Sequence, residues 1–298
     1  MKGLNAMDDT LIIEDGILRG YKERLIQTIT VPEGIAAISD NAFSDFPNLY
    51  RVELPKSLVM IGNGVFKSCP KLKSIDLTNV CSVGTEAFSG CISLTEVVFG
   101  KDMSYLANDL FLGCTALSEI TLPENISYIG CECFKDCTAL TKVIIKGAME
   151  IDNNAFENCT SLCSITLPDT TTHISPNAFS FCCNLLTIIF ENRYVDIDEN
   201  AFENSVDLII NSVQNSAAQS FAKHSRYKFR PIIIANEYAV VTKRQLDILS
   251  NSDITFFAKQ PDVTKDEYVI QFDKSAEEKI IEMIGGIKND ELQRYGRY

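Results

Sequence analysis

Apolar residues recur along the chain in columns spaced 22 or 23 residues apart, separated by polar stretches. The plainest column is phenylalanine: Phe43, Phe66, Phe88, Phe111, Phe134, Phe156, Phe179 and Phe202. Five residues before each stands an aliphatic residue, from Ile38 and Ile61 to Ile174 and Ile197. Six residues after each comes a leucine, from Leu49 to Leu208. Two further apolar positions follow at nine and eleven, from Val52 and Leu54 to Ile188 and Phe190. Columns held in register over seven to eight copies mark a tandem repeat, and a period between roughly 20 and 50 residues points to a solenoid or similar array.

Within each copy the end of the leucine half alternates. In Leu117-Ser-Glu-Ile-Thr-Leu122, Ile120 and Leu122 are expected to face inward and Glu119 and Thr121 outward, which is strand periodicity. Proline often follows, at Pro55, Pro123 and Pro168, where it ends a strand without removing an interior ladder bond. The other half, such as Asn153-Asn-Ala-Phe-Glu-Asn-Cys159, returns the chain behind the sheet and plugs the core with phenylalanine. One such unit cannot bury its apolar face alone, so stability must come from stacking neighbours. At about 4.8 Å per stacked strand, eight steps predict an array about 40 Å long.

The frame also sets the boundaries. Ile26, Ile29, Val31 and Pro32 fill the strand columns of a copy whose phenylalanine half is missing. Upstream, Leu11 to Leu18 reads as strand, turn and strand, so residues 1–37 are expected to form an N-terminal cap and partial repeat. The array occupies 38–210, closing on a strand at Asp207–Ile210, and a helix from Asn215 with the strand after it (211–234) ends it. A cap is needed because a bare last repeat exposes a sheet edge and core. Residues 235–298 leave the frame and read as an α/β appendage or extended cap. They hold a helix from Thr242 with Leu246 and Leu249 on one face, a strand at Ile254–Phe257, and a helix over Ser275–Ile284 with Glu278 in its capping box and Gly285-Gly286 as its stop.

The segment Ile151–Pro168, IDNNAFENCTSLCSITLP, fills every fixed position of the frame Ile-x-x-x-Ala-Phe-x-x-Cys-x-x-Leu-x-x-Ile-x-Leu-Pro. That frame resembles the BspA-like class of leucine-rich repeats, and the likeness runs over about residues 11 to 230. It implies an α/β repeat solenoid, right-handed, with a parallel β-sheet on one face, short irregular or helical return segments and a small α/β C-terminal cap or appendage. Members of the class are largely bacterial or protozoan, many lie on the cell surface, and adhesion and protein binding are the roles proposed for them. The class has no catalytic residues to carry over. This sequence departs from it in showing no secretion signal and in carrying a tail of about 65 residues.

Charge narrows the partners. A net charge of -13 and a pI near 4.7 oppose nucleic acid and anionic membrane surfaces, which call for basic patches. The first residues hold no apolar stretch of signal-peptide length, and no run of 18 apolar residues occurs, so no membrane insertion is expected. The chain reads as cytoplasmic as it stands, or extracellular if a leader has been removed, and as a monomer.

Candidate chemistry is sparse. Of eleven cysteines, six (Cys69, Cys91, Cys114, Cys137, Cys159 and Cys182) stand three residues after the repeat phenylalanine, with Phe46 and Ser205 ending the column. A small side chain that tolerates burial beside a turn accounts for them. The group Cys131, Cys133 and Cys137 invites a metal, but Cys133 takes the alanine slot and the spacing is not paired Cys-x2-Cys. So many thiols suit a reducing compartment. His173 reads as a return-loop residue and His224 as the end of the closing helix. No nucleophile elbow, phosphate loop or dinucleotide fingerprint is present, so no enzyme activity, metal or cofactor is expected in the array.

Binding is expected on the outward strand positions, which stack into rows. One row is Arg51, Ser74, Glu96, Glu119, Lys142, Ser164 and Thr187; its neighbour is Glu53, Asp76, Val98, Thr121, Ile144, Thr166 and Ile189. The second turns from acidic to β-branched at Val98, and with Leu186 nearby it reads either as an apolar contact for a partner or as residues that favour strands. The ligand class is a protein or cell-surface molecule. The alternative role is an assembly module that positions the tail, and a further one places an activity in the tail itself.

Overall fold

Three or four alternating residues per copy suffice for a strand, and the fixed period stacks these strands in register. In the computed structural model, which describes residues 10–232, 237–252, 256–259 and 267–272, Thr28–Thr30, Arg51–Glu53, Ser74–Leu77 and Glu96–Phe99 form one parallel sheet. The parallel pairs Glu119–Thr121 with Lys142–Ile144 and Ser164–Leu167 with Thr187–Phe190 extend the same side of the array. Partners are equivalent residues one copy apart, as in Ile75 with Val97, Ile120 with Val143 and Ile165 with Ile188. The fold is a parallel β-solenoid of about nine turns.

A single sheet on one face was expected; each turn carries a second strand. Ala37–Ile38, Met60–Ile61 and Ser82–Val83 pair in parallel, as do Tyr105–Leu106, Tyr128–Ile129, Glu150–Ile151, His173–Ile174 and Asp196–Ile197. The aliphatic column before the phenylalanine is the inward member of these strands. A strand two residues long has one inward position and no alternation to betray it. It stops where the chain must bend closely over the previous turn. A Cβ added at Gly62, Gly84 or Gly130 would lie 2.4–2.6 Å from the carboxamide or carboxylate oxygen of Asp40, Asn63 or Asn108.

The return halves are irregular turns, and the helical option is not realised among the described residues. The backbone visits the left-handed region twice per turn, two residues before the phenylalanine (Asn41, Gly64, Glu86, Asp109, Glu132, Asn154, Asn177) and two after (Asp45, Ser68, Gly90, Gly113, Asp136, Asn158, Phe181, Asn204). No helix survives such interruptions, and asparagine, aspartate and glycine dominate because they adopt that region at least cost.

Between the ladders lies the core. The eight phenylalanine rings form a column with centroids 5.1–5.6 Å apart and planes within 16° of parallel, each ring fully buried. Leu11–Glu14 and Ile17–Tyr21 make an antiparallel hairpin over Asp15 and Gly16, both at positive φ, as a tight hairpin turn requires. Leu18 then pairs with Ile38, so this cap covers the end of the short-strand ladder.

This array lies within one compact unit, Met1–Ile209; the second is Ile210–Tyr298. In the second, helix Ala217–Ser225 starts at Ser216, whose hydroxyl accepts from the Gln219 amide at 3.1 Å, and stops at left-handed Arg226. Further on, Glu237–Thr242 and Phe256–Lys259 flank Glu267–Phe272 in an antiparallel sheet. Helix Lys243–Ser250 buries Leu246 and Leu249, the face its sequence proposes. The helix expected over Ser275–Ile284 and the start of the Ile254–Phe257 strand lie outside the described residues.

Candidate functional site

Alternation places every second residue of a long strand outward, and stacking turns those residues into rows. Arg51, Glu53, Glu96, Glu119, Thr121, Lys142 and Thr166 are exposed, as expected of such rows. The β-branched stripe is uneven: Val98 is 42% exposed, whereas Ile144 and Ile189 are half-buried. Charges along the face meet in pairs. Arg51 lies 3.1 Å from Glu53, whose other oxygen accepts from Thr30 at 3.0 Å, and Lys142 lies 3.6 Å from Glu119.

Leu186 is 52% exposed and belongs to a third row that the alternation conceals: Tyr50, Lys73, Thr95, Ser118, Thr141, Cys163 and Leu186, all exposed. Each stands directly before a first-row residue, so two consecutive side chains point outward. The backbone explains it. The amides of Tyr50 and Arg51 both reach the Gln27 carbonyl, at 2.7 and 3.1 Å, and those of Leu186 and Thr187 both reach Cys163, at 2.9 and 3.3 Å. Two amides against one carbonyl is a bulge-like start that breaks the pleat. The corner before the short strands does the same, with Val59 and Met60 on the Ala36 carbonyl, and both side chains are exposed there too.

At the N-terminal end the three rows enclose a recess of about 450 Å³, lined among others by Tyr50, Arg51, Glu53, Lys73, Asp76 and Asn79. Three of these residues, Arg51, Glu53 and Asp76, stand in the outward rows expected from the sequence. Tyr50 and Lys73 were missed because an outward row next to the buried leucine has no periodic signal of its own.

The cysteine column faces inward. Each Sγ lies 3.1–3.2 Å from the carbonyl oxygen of the phenylalanine one turn back, from Cys69 to Phe43 through Cys182 to Phe156, and Ser205 repeats the bond to Phe179 at 3.0 Å. Burial pushes the thiols of Cys69, Cys137 and Cys182 up to about 12 and raises Cys91, Cys114 and Cys159 as well. A thiol held protonated is a poor nucleophile; these are structural donors. Cys133 is buried in its alanine slot, and no group of three or more potential ligands converges among the described residues. His173 is not in a loop: it sits in the short strand His173–Ile174, with Nδ1 3.1 Å from an Asp196 carboxylate oxygen. His224 contacts the Ser220 carbonyl on its own helix at 2.7 Å. No helix among the described residues is long and apolar enough to cross a membrane.

The family model for the BspA type leucine-rich repeat region matches in six copies, over residues 8–117 and 82–209. Among solved structures, a leucine-rich repeat protein from T. pallidum is similar at 29% identity and a TM-score of 0.52, over 57% of this chain and 82% of that one. Another, from Eubacterium ventriosum, is similar at 25% identity and a TM-score of 0.53, over 56% of this chain and 46% of that one. The chain therefore aligns with less than half of the Eubacterium protein's length. No curated protein matches it.

Proposed function

The chain belongs to the BspA-type leucine-rich repeat family, and from that premise we propose that it is a non-catalytic interaction protein whose outward strand face binds a protein ligand. One observation carries this reading. The inward columns hold nearly constant residue types, while the three outward rows change in charge and polarity from turn to turn although their backbone is the same. Solvent-facing rows demand little of the fold, so their variety is available for recognition. The face also carries a charged N-terminal section around Arg51, Glu53 and Asp76 and, from Val98 to Ile189, a β-branched row beside polar ones. A partner reading both is held in one register along the array. Adhesion at a cell surface is the form of this role that the resemblance implies.

The test uses the full chain as bait, with captured partner quantified by mass spectrometry and its affinity then measured. A triple variant, Val98→Lys with Ile144→Lys and Ile189→Lys, should lose that partner by roughly tenfold or more, since charged groups would be driven against an apolar contact. A control change on the opposite ladder, Met60→Lys, should leave binding intact. Equal affinity of the triple variant and the parent would sink the strand-face reading.

A further inference from the structure

The recess on the strand face differs from the rest of it in which groups are already bonded. Four charges line it, Arg51, Glu53, Lys73 and Asp76, and formally they cancel. Their commitments do not. Glu53 is held by Arg51 at 3.1 Å and by the Thr30 hydroxyl at 3.0 Å. Asp76 accepts through Oδ1 from the amide of Thr78 at 2.9 Å and from its hydroxyl at 2.5 Å, closing a turn on its own strand end, and keeps Oδ2 open. The donors remain open. Arg51 bonds through one nitrogen, its side chain 63% exposed. Among the described residues Lys73 has no carboxylate within ion-pair distance, and neither Tyr50 nor Asn79 has a side-chain hydrogen bond. Two cations, a phenol and a carboxamide therefore line one recess in which Glu53 has both oxygens engaged and Asp76 one.

A guanidinium with free N–H groups, flanked by an ammonium on the next turn, matches a planar, two-oxygen anion best. We propose that this recess receives a carboxylate side chain, aspartate or glutamate, presented by the protein ligand, with Arg51 and Lys73 taking its oxygens and Tyr50 covering its aliphatic stem. The charge fits: on a chain of net -13 this is a place where available donors outnumber available acceptors, so an acidic group is accepted here and repelled by the neighbouring Glu96. The inference rests on the strand-face reading and adds the chemistry that one end of the partner must carry.

The probe is the blocked tripeptide acetyl-Gly-Glu-Gly-amide, titrated into the full chain and followed by amide chemical shifts, beside matched peptides with glutamine or lysine at the centre. The glutamate peptide should shift amides of residues 50–54 and 73–76 and bind in roughly the millimolar range, as a lone charge-assisted contact does. Lys73→Gln, which breaks no side-chain bond among the described residues, should weaken it about tenfold, and Arg51→Gln more, since its fork is lost. Raising the salt from about 50 to about 500 mM should weaken it as well. Absence of shifts at about 10 mM peptide, or equal shifts from the lysine peptide, overturns the proposal. If the peptide fails while the Val98, Ile144 and Ile189 triple variant still loses its captured partner, the strand face stands and only the recess is lost. If the captured partner ignores both sets of variants, the strand-face reading itself has failed.

Discussion

The return edge of the solenoid and its strand face share one backbone period yet treat sequence in opposite ways. Along the edge the same phenylalanine and the same cysteine or serine come back turn after turn. Along the face Arg51, Ser74, Glu96, Glu119 and Lys142 follow one another with no common chemistry. The difference lies in what each residue touches. Phe134 is sandwiched between Phe111 at 5.4 Å and Phe156 at 5.1 Å, and Cys137 donates to the carbonyl of Phe111. Each edge residue is thus the environment of its own copies, and a change in one leaves two neighbours unmatched. Face residues meet water on one side and need only permit the strand. Constancy on this molecule therefore reports stacking, and variation reports freedom from it.

The largest test of that contrast is Phe134→Ala. Deleting a fully buried ring from the middle of the column should cost about 3–5 kcal/mol and lower the urea midpoint accordingly. A loss below about 1 kcal/mol would mean the column is not what holds the turns together. Next comes Gly147→Ala, at a corner rather than on either surface. An added Cβ would stand 1.9 Å from the Glu124 carbonyl oxygen, so backbone must move, and about 1–3 kcal/mol should be lost. Wild-type thermal stability in this variant would show that the turn spacing is looser than the geometry says.

The thiols sharpen the contrast through pH. Because burial raises the folded-state values of Cys69, Cys137 and Cys182 from 9.0 to about 12, the folded state keeps protons that the unfolded chain releases. Their contribution is fully present below pH 9 and is lost as pH climbs towards 12, so the melting temperature should fall across that window. Replacing the three by serine, the residue nature places at Ser205, should flatten the fall. A disulfide reagent at pH 8 should reach Cys81, Cys163 and Cys183, which are exposed, and spare the column until unfolding. Rapid labelling of all eleven thiols would contradict the closed edge. The smallest effect belongs to the face: Glu119→Ala, which removes an exposed 3.6 Å ion pair, should change stability by less than about 1 kcal/mol.

Much of this was legible in the residues. The strand Glu119–Thr121 and the inward turn of Ile120 and Leu122 follow from alternation, and the six-cysteine column follows from spacing alone. The bond each thiol makes did not, because its acceptor is a main-chain carbonyl that leaves no mark on residue type. The short strands escaped for want of length. Tyr50 and Lys73 escaped because each precedes an outward strand residue and breaks the alternation, at Tyr50 through a bulge-like pair of amides on the Gln27 carbonyl. The β-branched stripe was visible as a pattern, but the half-burial of Ile144 and Ile189 depends on neighbouring turns.

By itself the sequence determined the period, the inward columns and so the family, since packing against one's own copy admits only the same residue type at the same step. The tertiary structure alone decided which outward residues become neighbours. Tyr50 and Lys73 stand one turn apart and line a recess with Glu53 and Asp76 because the chain enters each of these strands with two consecutive residues outward, at Tyr50 with two amides sharing the Gln27 carbonyl. That is backbone geometry, and no side-chain alphabet encodes it at a single position.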